Sequence, residues 1–524
     1  MKRNLVSLRT AVVAAAFVLA AVGVDRPFRA AERPPLDLAG VFAGPGGLVR
    51  DTNGDGIPDA VATRIVVAAT PSAGDVESAV NLAARLGYET TALTLPVVVS
   101  DADATPLKGV ERPILVGRAN AHVKRLEASG VVDFKGLQRG QGLIALVPAS
   151  VGGADAIVVA GADDEGTVAA ATELAARLPR LWGSTGATVE ALEEQARSYL
   201  ASKGVAVTSA SVPSLVVDAN RLGLVTVNLV VQTSGNPARA ASALEDLDRA
   251  HSRGLEPRML NFGNIATIAI TIGSGGRTDA HAAVHRSGMS NRVLVPPIEP
   301  GELAADSPGQ RGRQADASSV STKSIDLANG YSIDGWFADS YADLIPDRTD
   351  TVLVLGDGPE TLGAAHIAAR LGLESTGVTV PIGKPAARVT TAAQEPNPIL
   401  VGRSNTLVDQ LARIGRVRFD GVKAGDGVVQ MVPKAFGAGT ATVVAGVDPQ
   451  GTSAAAMYLG RRVPYIWETS PGAPSYQDVA LETTRFFQAR NPAGQASQAL
   501  DELDAIVRDL KDKDRKSTRL NSSH

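Results

Sequence analysis

Cysteine is absent from the 524 residues. That excludes disulfides, thiolate metal sites, cysteine nucleophiles and acylation of a signal-peptide cysteine, so packed cores must carry the stability. Histidine is scarce, with six copies. His281 and His285 lie four apart, a spacing that would set both on one face of a helix. Without the glutamate of H-E-x-x-H they make a poor zinc motif and read as a solvent-exposed pair. Neither sign of charge dominates: 51 Lys and Arg stand against 55 Asp and Glu, a formal net charge of −4. The body of the chain has no dense basic run, so nucleic acid is not an expected partner. Also missing are G-x-G-x-x-G, the G-K-[ST] ending of a P-loop, a G-x-S-x-G elbow and a carboxylate pair that stands out by spacing. The closest approaches, "ATPSAGD" at Ala69 to Asp75 and "GDGPETLG" at Gly356 to Gly363, do not meet those patterns. No catalytic residue is assigned, and no cofactor is required.

No stretch beyond the N-terminus is apolar for long enough to span a bilayer. At the N-terminus Lys2, Arg3 and Arg9 precede an apolar run from Ala11 to Val22, and Ala21 to Gly23 offers small residues for cleavage. This is the pattern of a secretory signal peptide over residues 1–23, with an uncleaved anchor as the competing reading. The mature chain is expected to be secreted or periplasmic, without a transmembrane segment. At the other end, Leu500, Leu503, Val507 and Leu510 follow a helical period over residues 495–513 that no cap or Gly/Pro signal terminates. The last eleven residues, "DRKSTRLNSSH", resemble the translation of a common sequencing adapter, which leads to the expectation that the gene continues past Lys513.

What is present is a composition 44% apolar and 20% charged, that of a globular chain, at a length suited to about three domains. "PILVGRAN" at Pro113 to Asn120 recurs as "PILVGRSN" at Pro398 to Asn405, 285 positions later. "AARLG" at Ala83, "VVAG" at Val158 and Trp182 recur at the same displacement, as Ala368, Val443 and Trp467. Matches in one register indicate a duplicated domain.

Each copy alternates short β-branched runs with helical patterns. In the first copy these are "RIVVAA", a helix with Val76, Val80, Ala83 and Leu86 on one face, "TTALTLPV", "PILVGR", a helix from Asn120, "GLIALVP", "DAIVVAGA" and a helix from Asp164. The expected fold is α/β, two duplicated Rossmann- or flavodoxin-like αβα layers, each around a mainly parallel sheet. The first spans 45–204 and the second 326–490. Between them, 205–294 reads as a small α+β unit or an extension of the first sheet, and the Pro, Gly, Ser and charge-rich 295–325 as a linker. Asn120, Asn405 and Asp448 stand where helix N-caps belong, with Pro449 at a first-turn position.

Three sets of polar residues remain as candidate sites. Asp51, Asn53, Asp55 and Asp59 in "DTNGDGIPDA" place oxygens at alternate positions around Gly56, as calcium loops do. Ala62 stands where an EF-hand needs its bidentate glutamate, and the loop resembles those of dockerins and thrombospondin type 3 repeats instead. The second copy keeps Asp339, Asp343 and Asp347 but has Tyr341 and Leu344 for Asn53 and Gly56, so the acidic lead-in reads mainly as a structural element. Arg118 and Arg403 each end a buried strand, where open α/β sheets place ligands, and Asn120 and Asn405 follow. Such an arginine suits a carboxylate, phosphate or sugar hydroxyl; it equally suits an ion pair with an acid such as Asp163 or Asp448. Trp182 and Trp467 read as packing residues, with a sugar platform as the alternative.

The pattern "PILVGR … GQGLIALVP … ADAIVVAGADDEGTVAAATELAARL" resembles the non-catalytic N-terminal α/β domains of secreted glycoside hydrolases, and the duplicated α/β units of the periplasmic cellulose synthase subunit. The resemblance implies an exported binding or scaffolding region of a larger protein, with polysaccharide or another exported protein as partner. The alternative is the accessory N-terminal half of a secreted glycosidase or zinc peptidase. A third reading puts an enzyme in the cleft between the copies.

Overall fold

The computed structural model describes residues 37–42, 46–102, 110–151, 153–179, 188–221, 224–252, 265–274, 277–285, 301–304, 323, 325–465 and 475–489. The signal-peptide pattern, Trp182, Trp467, most of the expected linker and everything after 489 lie outside them.

The first half enters through a hairpin of two-residue strands, β1 (Val49–Arg50) and β2 (Ala60–Val61). It continues through β3 (Ile65–Val67), α1 (Ala73–Tyr88), β4 (Val98–Ser100), β5 (Ile114–Val116), α2 (Ala121–Ala128), β6 (Gln141–Val151), β7 (Ala154–Gly161), α3 (Asp164–Ala176) and α4 (Val189–Ser202). Then come β8 (Val207–Asp218), β9 (Leu224–Thr233), α5 (Pro237–Ser252), β10 (Ile265–Ser274) and β11 (Arg277–His285). All strands from β3 onward join one nine-stranded sheet, in the order β11-β10-β9-β8-β6-β7-β5-β3-β4. The strands of the central segment therefore extend the first sheet.

The sheet is mixed. Pairing is parallel through β4, β3, β5 and β7 and between β9 and β10, and antiparallel at β6/β7, β6/β8, β8/β9 and β10/β11. The run "TTALTLPV" is not itself a strand: Thr90 turns its hydroxyl onto the Ala92 carbonyl, Pro96 has no N–H to donate, and pairing starts only at Val98. His281 and His285 lie on β11, not on a helix, and His281 is exposed.

After β12 (Gly301–Ala304), a four-residue strand within the expected linker, the second half repeats the plan. It has a hairpin of β13 (Phe337–Ala338) and β14 (Arg348–Thr349), β15 (Leu353–Leu355), α6 (Ala364–Leu373), β16 (Gly377–Val380) paired to β12, and β17 (Gly383–Pro385). It ends with β18 (Ile399–Val401), α7 (Thr406–Arg413), β19 (Gly427–Val432), β20 (Ala441–Gly446), α8 (Pro449–Arg461) and α9 (Tyr476–Ala489). Its five-stranded sheet runs β17-β15-β18-β20-β19. Strand for strand this is the order β4-β3-β5-β7-β6.

The halves meet through α1 and α6. Fourteen residues of α1 are buried, Gly74 to Gly87 on every side, because α3 covers it from its own half and α6 with β17 from the other. The single apolar face expected for this helix is thus one of several covered faces, and its polar residues need partners. Glu77 pairs with Arg388, and Asn81 accepts the N–H groups of Ile382 and Gly383 at 3.0 and 3.1 Å. Arg85 donates to Glu89 and to the Ala175 and Leu178 carbonyls, with its guanidinium over the Phe42 ring. At the crossing, a Cβ on Gly87 would overlap the Ala369 carbonyl, and one on Gly372 the Ala84 carbonyl. Gly87 and Gly372 are counterparts, as are Ala84 and Ala369, so the contact is reciprocal in the way of a two-fold interface.

Candidate functional site

In open α/β sheets ligands gather at the carboxyl ends of the strands where the winding direction switches. That point lies between β3 and β5 in the first half and between β15 and β18 in the second. Asn120 caps α2 with its oxygen on the His122 N–H and donates to the Val66 carbonyl at 2.9 Å; Asn405 caps α7 on Leu407 and donates to Val354 at 2.8 Å. Both are fully buried, each tying its helix to the neighbouring strand. Asp448 caps α8 ahead of Pro449, and its backbone N–H partners, Gly451 first and Gly425 second, hold its carboxyl below the usual range.

Arg118 pairs with Glu127 of α2 at 2.7 Å and stacks 5.0 Å from the Phe134 ring. Arg403 pairs with Asp409 of α7 and lies 4.7 Å from the Phe419 ring. The expected partners Asp163 and Asp448 are not used, because each caps a helix instead, Asp163 on Gly166 and Asp448 on Gly451. The structure thus places Arg118 with Asn120 at the start of α2 and Arg403 with Asn405 at the start of α7, one pair in each half.

Carboxylates of the chain itself already take donors near the switch point of each half. Asp75 lies against Gly117 and accepts the Ser72 N–H, while Asp164 accepts the Ser72 hydroxyl and the Gly74 N–H. Burial, and then the charge of Asp164, push the Asp75 carboxyl up to about 6. In the second half Glu360 accepts both the N–H and the hydroxyl of Ser404 at the start of α7. A helix N-terminus that would cradle a phosphate is filled by the chain itself.

The loop is exposed from Asp51 to Ile57, and Asp59 is half-buried. Asp51 accepts N–H groups from Gly54, Asp55 and Gly56, Asn53 and Asp55 cap the turns that follow, and Asp59 takes the Thr52 N–H and hydroxyl. The Gly56 bond is the main reason the Asp51 carboxyl is lowered. The second half repeats the network with Asp339, Asp343 and Asp347 although Tyr341 and Leu344 replace Asn53 and Gly56.

One further surface was not visible in the sequence. Helices α4 and α5 pack against one face of the β8–β11 extension, where Leu215, Val217, Val227 and Leu229 are buried. The opposite face carries the half-exposed Ser214, Val216, Thr226 and Asn228, and where it meets the segment after α2 a groove of about 610 Å³ opens. Asp133, Gln141, Val147, Ser214, Thr226 and Asn228 are among its lining residues. Asn228 donates to the Ser214 hydroxyl and Gln141 to Asp218. The period-two alternation of β8 and β9 was the one signal available; the pairing that joins Gln141 to Asp218, 77 positions on, was not.

Residues 88–178, from the end of α1 to the end of α3, match the model of the S-layer like family, outer domain. No curated protein matches the chain. Among the described residues no helix is long and apolar enough to cross a membrane.

Proposed function

We propose that this chain is a non-catalytic, exported, surface-associated region in which two copies of a Rossmann- or flavodoxin-like αβα domain serve binding and scaffolding. The observation that carries the reading is the S-layer like outer-domain match over residues 88–178. The commitment of Arg118, Asn120, Arg403, Asn405 and the neighbouring carboxylates to internal bonds supports it. The groove and open sheet face, rich in hydroxyl and amide groups, would engage a polysaccharide or another exported protein. Labelling intact source cells with a membrane-impermeant amine reagent should mark the chain, and protein blotting of exported material should show loss of residues 1–23. Recovery of the whole chain, unlabelled, from the cytosol alone overturns the proposal.

A second reading, an accessory region of a secreted glycosidase or zinc peptidase, is favoured by the β7–α3 turn. There Asp163 caps α3 and Gly166 packs on Gln141 within the "GADDEG" segment through which the chain resembles hydrolase-associated domains. Clearing of polysaccharide or casein gels by the exported gene product selects this reading. Calcium at Asp51, Asn53, Asp55 and Asp59 belongs to the same proposal as a structural ion. It predicts a melting temperature that rises with calcium over chelator, since an ion held only by the folded state stabilises it, and an Asp55→Ala variant that abolishes the rise.

A further inference from the structure

Unpaired sheet edges invite pairing with other chains, and proteins blunt them with short strands, prolines, charges or bulges. Three outer edges of the two main sheets carry such devices. β4 is three residues long, and β17 is three residues long with Lys384 and Pro385. β11 carries Arg277, Asp279, His281 and His285, and its pairing with β10 is bulged at Ile272/Gly273.

The fourth edge, β19, reads Gly-Val-Val-Gln-Met-Val over Gly427–Val432, without charge or proline, and no described strand pairs with its outer side. Its counterpart in the first half shows what such an edge takes. There β8 lies antiparallel on β6, Ser214 to Asp218 against Gln141 to Ala145, and Leu143, Ile144, Ala145 and Leu146 are all buried. The equivalent Val428, Val429, Gln430 and Met431 are only half-buried.

We infer that β19 docks antiparallel on β19 of a second copy of this chain, joining two five-stranded sheets across a two-fold axis. Charge favours this occupant. The uncharged strand is flanked by the exposed acid Asp426 at one end and the exposed base Lys434 at the other. With Gln430 on the axis, Val428 faces Val432 of the opposite copy, and the Asp426 that precedes each strand approaches the turn at Pro433 and Lys434 that follows the other, so each end brings an acid toward a base. A parallel arrangement would set like against like. A two-fold pairing of one strand with itself is isologous and closes at a dimer. This inference does not depend on the chain's location, and a surface protein that stays monomeric would remove the dimer while leaving the surface reading intact.

Sedimentation equilibrium of the full chain over about 1 to 100 µM should show a monomer–dimer equilibrium. The V428K/Q430K variant, which sets the two lysines introduced at position 430 against each other across the axis, should weaken it about tenfold or more, while its melting curve matches that of the parent chain at concentrations where both are monomeric. Because the chain has no cysteine, Gln430→Cys places one thiol per copy beside its own mate, within disulfide reach of a cross-strand pair. It should cross-link on mild oxidation, whereas the exposed control Lys124→Cys on α2 should not. A monomer throughout the range, a dimer indifferent to V428K/Q430K, or equal cross-linking of the two cysteine variants overturns the inference.

Discussion

The two halves share a strand order, a pair of asparagine caps, a pair of arginines stacked on phenylalanines and a loop of carboxylates, yet they differ at the outer edge of the sheet. In the first half β6 is an inner strand, covered by β8 and the three strands beyond it. In the second half the matching strand ends the sheet. The comparison separates what the fold requires from what was added to it. Features kept in both halves, such as Asn120 and Asn405, bond the chain to itself. The features that differ are the groove beside β8 and the outer side of β19, on which no described strand pairs.

The largest test is the helix crossing. Gly87→Leu and Gly372→Leu should each cost about 3 kcal/mol or more of stability by thermal unfolding, because each forces a side chain into the facing carbonyl. Similar losses would uphold the reciprocal contact; a loss at only one glycine would break it.

Acid should act on the halves in opposite senses. His366, the counterpart of Asn81, is buried in α6, and burial lowers its imidazole to about 4. The unfolded chain then binds more protons than the folded one, so stability drops as pH falls from about 6.5 toward 4, by about 3 kcal/mol in all. Asp75 and Glu193 of the first half are pushed up to about 6 and about 7, mainly by burial. The folded chain holds those protons longer, so these groups subtract stability as pH rises through the same window. Urea unfolding at pH 5 and pH 7 should show His366→Asn flattening the first trend and Asp75→Asn the second.

Smaller effects should come from the caps. Asn120→Ala and Asn405→Ala each remove a cap together with the amide bond that ties the helix to the Val66 or Val354 carbonyl, at a cost of about 2 kcal/mol each by chemical denaturation. Smallest are Arg118→Ala and Arg403→Ala. Both ion pairs are partly exposed, so each substitution should cost under about 1 kcal/mol.

Much of this architecture could be read from the chain because its signals are local. An asparagine before a helical pattern is a cap wherever it stands, and a short β-branched run such as "PILV" is a buried strand in either copy. Contacts set by topology could not be read. Nothing near Arg118 in sequence distinguishes Glu127 from Asp163 as its partner. The all-round burial of α1 depends on a helix some 285 positions away, and the groove on strands that meet only once the sheet is assembled.

The crossing at Gly87 and Gly372 also bears on how the molecule carries load. Two helices whose backbones touch have no intervening layer of side chains to shear, so the joint between the halves is stiff. Tension applied along the outer edge of one sheet would pass to the other through this backbone contact.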